Sequence, residues 1–165
     1  RSGAQTGRLE LFDVADPTAP VLVGSVSFPA VPLAIAVAAN TATVASWRSV
    51  RTFDLSNPAA PIEVGAEDMN LGTVTGIALN GDVAVLSVHP GSLVIVDLAD
   101  PVRPRLVHRA TWQDYVMPGL PMGGNDIALH DGRAVVADGH YGLRILAFSR
   151  CLLELQVPGG ELSIE

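Results

Sequence analysis

The feature that most constrains this chain is that it repeats itself. Leu9-Glu-Leu-Phe-Asp13-Val-Ala-Asp16-Pro17-Thr-Ala-Pro20 aligns on Val50-Arg-Thr-Phe-Asp54-Leu-Ser-Asn57-Pro58-Ala-Ala-Pro61 and on Leu93-Val-Ile-Val-Asp97-Leu-Ala-Asp100-Pro101-Val-Arg-Pro104, and a degraded copy follows at Leu143-Arg-Ile-Leu-Ala147-Phe-Ser149. Asp13 and Asp54 lie 41 positions apart, Asp54 and Asp97 43, and Asp97 and Ala147 50, the last interval stretched by an insertion between Thr111 and Gly124. Periods of about 40 to 50 residues belong to propeller blades or to helical solenoids.

Periodicity separates the two. Each segment is a short run of large apolar or β-branched residues that ends at Asp-x-x-Asp/Asn-Pro, a turn signal. The Asx side chain caps its own turn by accepting backbone N–H bonds, and the proline sets φ for the first turn position. A second match lays Ile77-Ala-Leu-Asn80-Gly81-Asp-Val-Ala-Val85 over Ile127-Ala-Leu-His130-Asp131-Gly132-Arg-Ala-Val135, with Ile35-Ala-Val-Ala-Ala39-Asn40-Thr-Ala-Thr43 as a third copy. Asn-Gly and Asp-Gly between apolar runs predict hairpins, because a type I′ turn needs positive φ. Each repeat therefore reads as four antiparallel strands, A to D, placed in the second full copy near Gly76 to Asn80, Val83 to Val88, Leu93 to Leu98 and Arg105 to Ala110. A solenoid is excluded, since no stretch of about ten residues carries a 3.6-residue apolar period free of Gly, Pro or β-branched clusters. The small Ala34, Ala36, Ala78 and Ala128 on A suit a crowded inner strand.

The pattern Leu-x-Ile-x-Asp-x-Ala/Ser-Asp-Pro-x-x-Pro, preceded by a short Ala/Val strand, resembles the LVIVD-type β-propeller repeat found in bacterial and archaeal proteins, many of them secreted or surface-exposed. The resemblance runs over residues 8 to 149 and departs at Ala147 to Arg150, where neither Asp nor Pro appears. It divides the chain into propeller blades over 1–149 and a modified last strand with a C-terminal tail over 150–165. It implies an all-β fold and an extracellular or cell-surface location, and it implies no reaction. The strand count starts on C and D of one blade and ends on A, B and C of another, about three and a half blades, fewer than the four to eight of a closed ring. The expectation is a partial ring, completed by blades from the same, longer precursor or from another chain.

Composition bounds the rest. The chain has 165 residues, 48% hydrophobic and 16% charged, which is a folded chain rather than a disordered one. Ten basic residues, all Arg, face 17 acidic ones, so the formal charge of −7 disfavours nucleic acid and anionic membranes as partners. Pro32 to Ala45, the most apolar stretch, is broken by Asn40, Thr41 and Thr43 and is too short to span a bilayer. Arg1-Ser2-Gly3 carries neither an initiator Met nor a signal peptide, and the expectation is a piece of something longer. The lone Cys151, beside Leu152 and Leu153, reads as a small buried hydrophobe and leaves the redox compartment open.

In a propeller the B–C and D–A loops share one rim of the channel, where ligands sit, and the A–B and C–D turns share the other. The first rim then receives Trp47, Arg48, His89, Asp138, His140, Tyr141 and the long segment from Thr111 to Asp126, which carries Trp112, Asp114, Tyr115, Asn125 and Asp126. Long loops in compact folds are often functional. Of these, Trp47, Arg48, His89, Trp112, Asp114, Tyr115, Asn125, Asp126, His140 and Tyr141 are the candidate ligand-binding residues. Imidazole and carboxylate together suit a divalent cation that activates water, which makes His89, Asn125, Asp126 and His140 the alternative metal set, for Ca or Zn. The plainer reading is a decorated loop that plugs the channel, because no His-x-x-x-His spacing is present. His108 reads as a solvated edge residue and His130 as turn chemistry. The Asp13, Asp54 and Asp97 series offers one or two carboxylates per turn against the six to eight oxygens calcium takes, so turn capping is preferred.

No Gly-x-Ser-x-Gly elbow and no phosphate-binding glycine loop occurs. The chain is expected to be a non-catalytic interaction or scaffold module that binds protein or glycan through its rim, without a cofactor. The alternative is a metal-dependent hydrolase of the lactonase or phosphotriesterase-like kind with its site at the channel mouth, an analogy from fold alone.

Overall fold

The computed structural model describes residues 6–89, 91–111, 126–137 and 142–147. The boundary at 149/150 and the tail 150–165 lie outside the described residues. Every described element is a strand. A half-blade pairs β1 (Gly7–Asp13) with β2 (Val21–Phe28). The first full blade is β3 (Pro32–Ala38), β4 (Thr41–Ser46), β5 (Ser49–Asp54) and β6 (Ile62–Asp68), each paired with the next. The second is β7 (Thr73–Asn80), β8 (Val83–His89), β9 (Ser92–Asp97) and β10 (Arg105–Thr111). The last blade shows β11 (Asp126–His130), β12 (Arg133–Ala137) and β13 (Leu143–Ala147). All pairings are antiparallel. The blades are those of a propeller, and the arc they form is not closed.

Three apolar clusters hold the arc together, one per interface between blades. Phe28 meets Ala42, Val44 and Phe53 where the half-blade packs on the first full blade, with the two phenyl rings tilted 55° at 5.1 Å. Ala45 and Val50 meet Val74, Ile77, Leu86, Val94 and Val96 at the next interface. Val85, Leu93 and Ile95 meet Ile127, Ala134, Val136 and Leu146 at the last. Covered from both sides, the middle strands are buried almost end to end, which is why β8 and β9 read as near-continuous apolar runs, while β4 buries the hydroxyls of Thr43 and Ser46 among its alanines and valine. Both ends of the arc show the converse. Leu143 and Ile145 are 71% and 53% exposed although their repeat counterparts Leu93 and Ile95 are buried.

The Asp-x-x-Asp/Asn-Pro segment folds as two successive Asx turns. Asp13, Asp54 and Asp97 accept the backbone N–H of Ala15, Ser56 and Ala99 at 2.8, 2.8 and 3.0 Å. Asp16, Asn57 and Asp100 accept that of Thr18, Ala59 and Val102 at 2.9, 3.2 and 3.0 Å. The second turn closes with a backbone bond from Ala19, Ala60 or Arg103 to the carbonyl of the same Asx. These oxygens are engaged in capping, as the composition of the motif implies.

The turn also locks one blade to the next. In each of the three D strands one valine, Val23, Val64 or Val107, is bulged out of register, and the residue after it faces Leu11, Thr52 or Ile95. In the first two blades that residue is Gly24 or Gly65. A Cβ on Gly24 would strike the Pro58 carbonyl and lie 2.9 Å from the Ala59 carbonyl carbon. One on Gly65 would strike the Pro101 carbonyl and lie 2.8 Å from that of Val102. The Thr52 hydroxyl donates to the same Pro101 carbonyl. The glycine is thus the seat on which the turn of the next blade rests. In the third D strand the place is held by His108.

One A–B turn differs from the expected geometry and one keeps it. Asn80 pairs with Val83 and is still strand, so the turn residues are Gly81 and Asp82, with positive φ at Gly81 (59°). At Asp131-Gly132 both φ values are positive, 45° and 69°, as a type I′ turn requires. Ladder register decides which residue takes the left-handed position, and in the second full blade it selects the glycine rather than the asparagine before it.

Two outcomes follow from these contacts. Gly65→Ala should lower stability by about 1–3 kcal/mol, as overpacking a filled contact does, read from the shift of the denaturant midpoint. The Asp16 carboxyl is held below its ordinary pKa by the Thr18 hydroxyl and then the Thr18 N–H, Asp54 by the Ser56 hydroxyl and N–H, and Asp97 chiefly by the Ala99 N–H. A depressed native pKa contributes stability that is present above the unfolded carboxylate value and is lost as pH falls through the native one. The melting temperature should therefore drop below about pH 4, and Asp54→Asn with Asp97→Asn, which keep the acceptor oxygen as Asn57 does, should flatten that drop. An unchanged acid slope in the double variant would show that the turns do not carry it.

Candidate functional site

The two rims are tied by separate hydrogen bonds. On one, the C–D turn residue Leu55 donates to the Asn40 carbonyl of the A–B turn at 2.7 Å, and Leu98 donates to Asp82 at 2.7 Å. On the other, the D–A linker 69–72 wraps over the B–C loop of its own blade. Met69 and Asn70 donate to the Arg48 carbonyl at 2.6 and 2.9 Å, and Gly72 donates to that of Trp47 at 2.8 Å. B–C and D–A loops therefore share a rim, as the strand order demands.

That rim is built from a buried serine pair. Ser46 ends β4 and Ser49 opens β5, their hydroxyls are 2.9 Å apart, and the Ser46 Oγ accepts the Ser49 N–H at 3.0 Å. The pair pinches the loop so that the two residues between, Trp47 and Arg48, stand outside the blade. Their carbonyls are used by the linker, which leaves their side chains to solvent. Trp47 is 48% exposed. Arg48 is exposed and pairs with Asp68 at 3.3 Å through Nε, a surface ion pair of small energetic weight. The linker is fixed from the far side as well, because the Arg109 guanidinium of the second full blade donates to the carbonyls of Leu71 and Asn70 at 3.1 and 3.2 Å. Its neighbour His108 drew attention in the sequence and Arg109 did not, since a lone arginine on an edge strand has no motif; only the inter-blade approach reveals what it holds.

His89 is the last residue of β8, half-buried and opposite Thr73 in the ladder. Asp126 opens β11, exposed, with its Oδ1 accepting the Ile127 N–H at 2.8 Å. Its Cα lies 3.0 Å from where a Cβ on Gly76 would stand, which sets it against the inner strand of the preceding blade. Trp112, Asp114, Tyr115, Asn125, Asp138, His140 and Tyr141 lie outside the described residues. Among the described residues no three His, Cys, Asp or Glu side chains come together as metal ligands would. Two members of the alternative metal set, Asn125 and His140, are beyond that statement. No helix among the described residues is long and apolar enough to cross a membrane.

A comparison with curated proteins returns no match. A family model described as the LVIVD repeat matches residues 3–27, 34–68 and 71–111. These three segments coincide with the half-blade and the two full blades, and β11–β13 continue the same antiparallel order beyond the last match. With more than half of its residues in these matches, the chain belongs to the LVIVD repeat family.

Proposed function

We propose that the protein is a non-catalytic interaction module whose B–C/D–A rim binds a protein or glycan partner, and that it works outside the cell or at its surface. The observation that carries the reading is Trp47. A half-exposed indole is held beside Arg48 on a loop whose two carbonyls are already bonded to the linker 69–72, and tryptophan and arginine are the residue types that anchor protein interfaces, while an exposed aromatic face also stacks on sugar rings. Such a side chain loses little conformational freedom on binding, because its loop is rigid beforehand. The LVIVD repeat supplies the scaffold; Trp47 and Arg48 are not part of its repeating pattern, since the corresponding loop of the second full blade carries Pro90 and Gly91. The location rests on the family resemblance.

The test is a glycan array and a peptide array probed with the wild type and with Trp47→Ala. A ligand held by the wild type should be lost at least tenfold, about 1.4 kcal/mol, with melting unchanged because the Trp47 carbonyl still serves Gly72. Retention of full affinity in Trp47→Ala would remove this rim as the binding face. Elemental analysis of the dialysed protein beside His89→Ala and Asp126→Ala is the second measurement. The expected result is no stoichiometric metal; about one equivalent of calcium or zinc absent from both variants would replace this reading with the hydrolase.

A further inference from the structure

Resting on the rim reading above, we infer that the ligand class of the B–C/D–A rim is a neutral saccharide, with the Trp47 indole as the platform for the C–H face of a pyranose ring and the Arg48–Asp68 pair as the polar arm that takes two adjacent hydroxyls. Trp47 is the one large apolar side chain exposed in the described loops of this rim. Beside it on the chain stands Arg48, paired with Asp68, and the two side chains are 72% and 59% exposed. A protein partner needs an anchor ringed by contacts that exclude water, in a patch depleted of charge. A single aromatic face bordered by charged, solvated groups fits a smaller ligand, one that is apolar on its ring face and hydroxylated at its edge.

The polar arm is organised for hydroxyls. Arg48 Nε donates to Asp68 Oδ2 at 3.3 Å, and the Asn70 N–H is shared between Asp68 Oδ1 at 3.2 Å and the Arg48 carbonyl at 2.9 Å. One backbone amide therefore fixes the carboxylate and the loop together. Among the described residues the two amino groups of Arg48 make no bond, and each Asp68 oxygen keeps a lone pair. A sugar hydroxyl both donates and accepts, so two hydroxyls on neighbouring carbons require a donor and an acceptor side by side, which the guanidinium and the carboxylate supply. Asp68 already offsets the charge of Arg48 and the chain carries a formal −7, so an acidic sugar would meet repulsion and a neutral one does not. The repeat provides its own control. Asp68 stands opposite Ser49 in the ladder, and Thr111 stands opposite Ser92 at the same place in the second full blade. The frame accepts a neutral residue there, so the blade does not demand the carboxylate.

The probes are the methyl glycosides of glucose, galactose and mannose, their linear oligomers, and deoxy derivatives that each lack one ring hydroxyl, titrated into the intact chain and followed by saturation-transfer NMR and calorimetry. The expected result is saturable binding of at least one probe, weakened at least about tenfold by Trp47→Ala and by Asp68→Ala and unchanged by Val102→Ser on the other rim. Trp47, Asp68 and Val102 are all exposed, so the variants should melt as the wild type does. Removal of the hydroxyl that Asp68 holds should weaken the wild type and leave Asp68→Ala no weaker than before, a coupling that a merely structural role of Asp68 would not give. If no saccharide binds and the rim takes instead a peptide that Trp47→Ala loses, the sugar class is overturned and the rim reading stands. If a saccharide binds equally well to Trp47→Ala, or if neither saccharide nor peptide binds, the rim reading falls with it. Binding that Trp47→Ala loses but that is indifferent to Asp68→Ala and to every deoxy probe overturns the polar arm.

Discussion

A β-sheet that is apolar on both faces has to be covered on both faces, and the rest of this structure is a consequence. The middle strands β4, β8 and β9 bury nearly every residue, so no blade is stable as a lone layer. Each blade takes its cover from the ones before and after. Where no neighbouring blade stands among the described residues, equivalent residues change from buried to exposed without any change in chemistry, as Ile35 against Ile77 and Leu143 against Leu93 show.

Apolar area alone does not set how two blades are aligned. The alignment comes from a polar contact at the outer edge, where the Asx-Pro turn of one blade sits on the glycine that follows a bulged valine in the blade before. The turn is rigid because each Asx oxygen is already bonded within it, and the seat is tight because glycine lacks a Cβ. The two features vary together along the chain. Gly24 and Gly65 precede blades whose turns carry Asn57-Pro58 and Asp100-Pro101, and His108 precedes the blade whose counterpart, Ala147-Phe148-Ser149, has neither Asx nor Pro. Where the sequence lacks the Asx-Pro pair it lacks the glycine as well.

Candidate function sits on what does not repeat. Ser46 and Ser49 belong to the frame that shapes the B–C loop, while Trp47 and Arg48 between them are peculiar to one blade. The rim is firm because the linker 69–72 and Arg109 hold it from two sides. Firmness of the backbone combined with exposure of the side chain is the arrangement that lowers the cost of ordering on binding.

Repeat spacing, β-branched runs and Asx-Pro turns were enough to dictate four-stranded blades, their strand order and the sharing of rims, because each is a local property that recurs at fixed offsets. Trp47 and Arg48 could be assigned to a rim on the same grounds, since rim membership follows from strand order. Turn register was less legible: Asn80-Gly81 suggests its own type I′ turn, yet the ladder carries Asn80 on as strand. The seating of Pro101 on Gly65 and the hold of Arg109 on the linker were decided by the tertiary structure alone. They depend on which blade stands next to which, a contact between residues some forty positions apart whose side chains carry no mark of it.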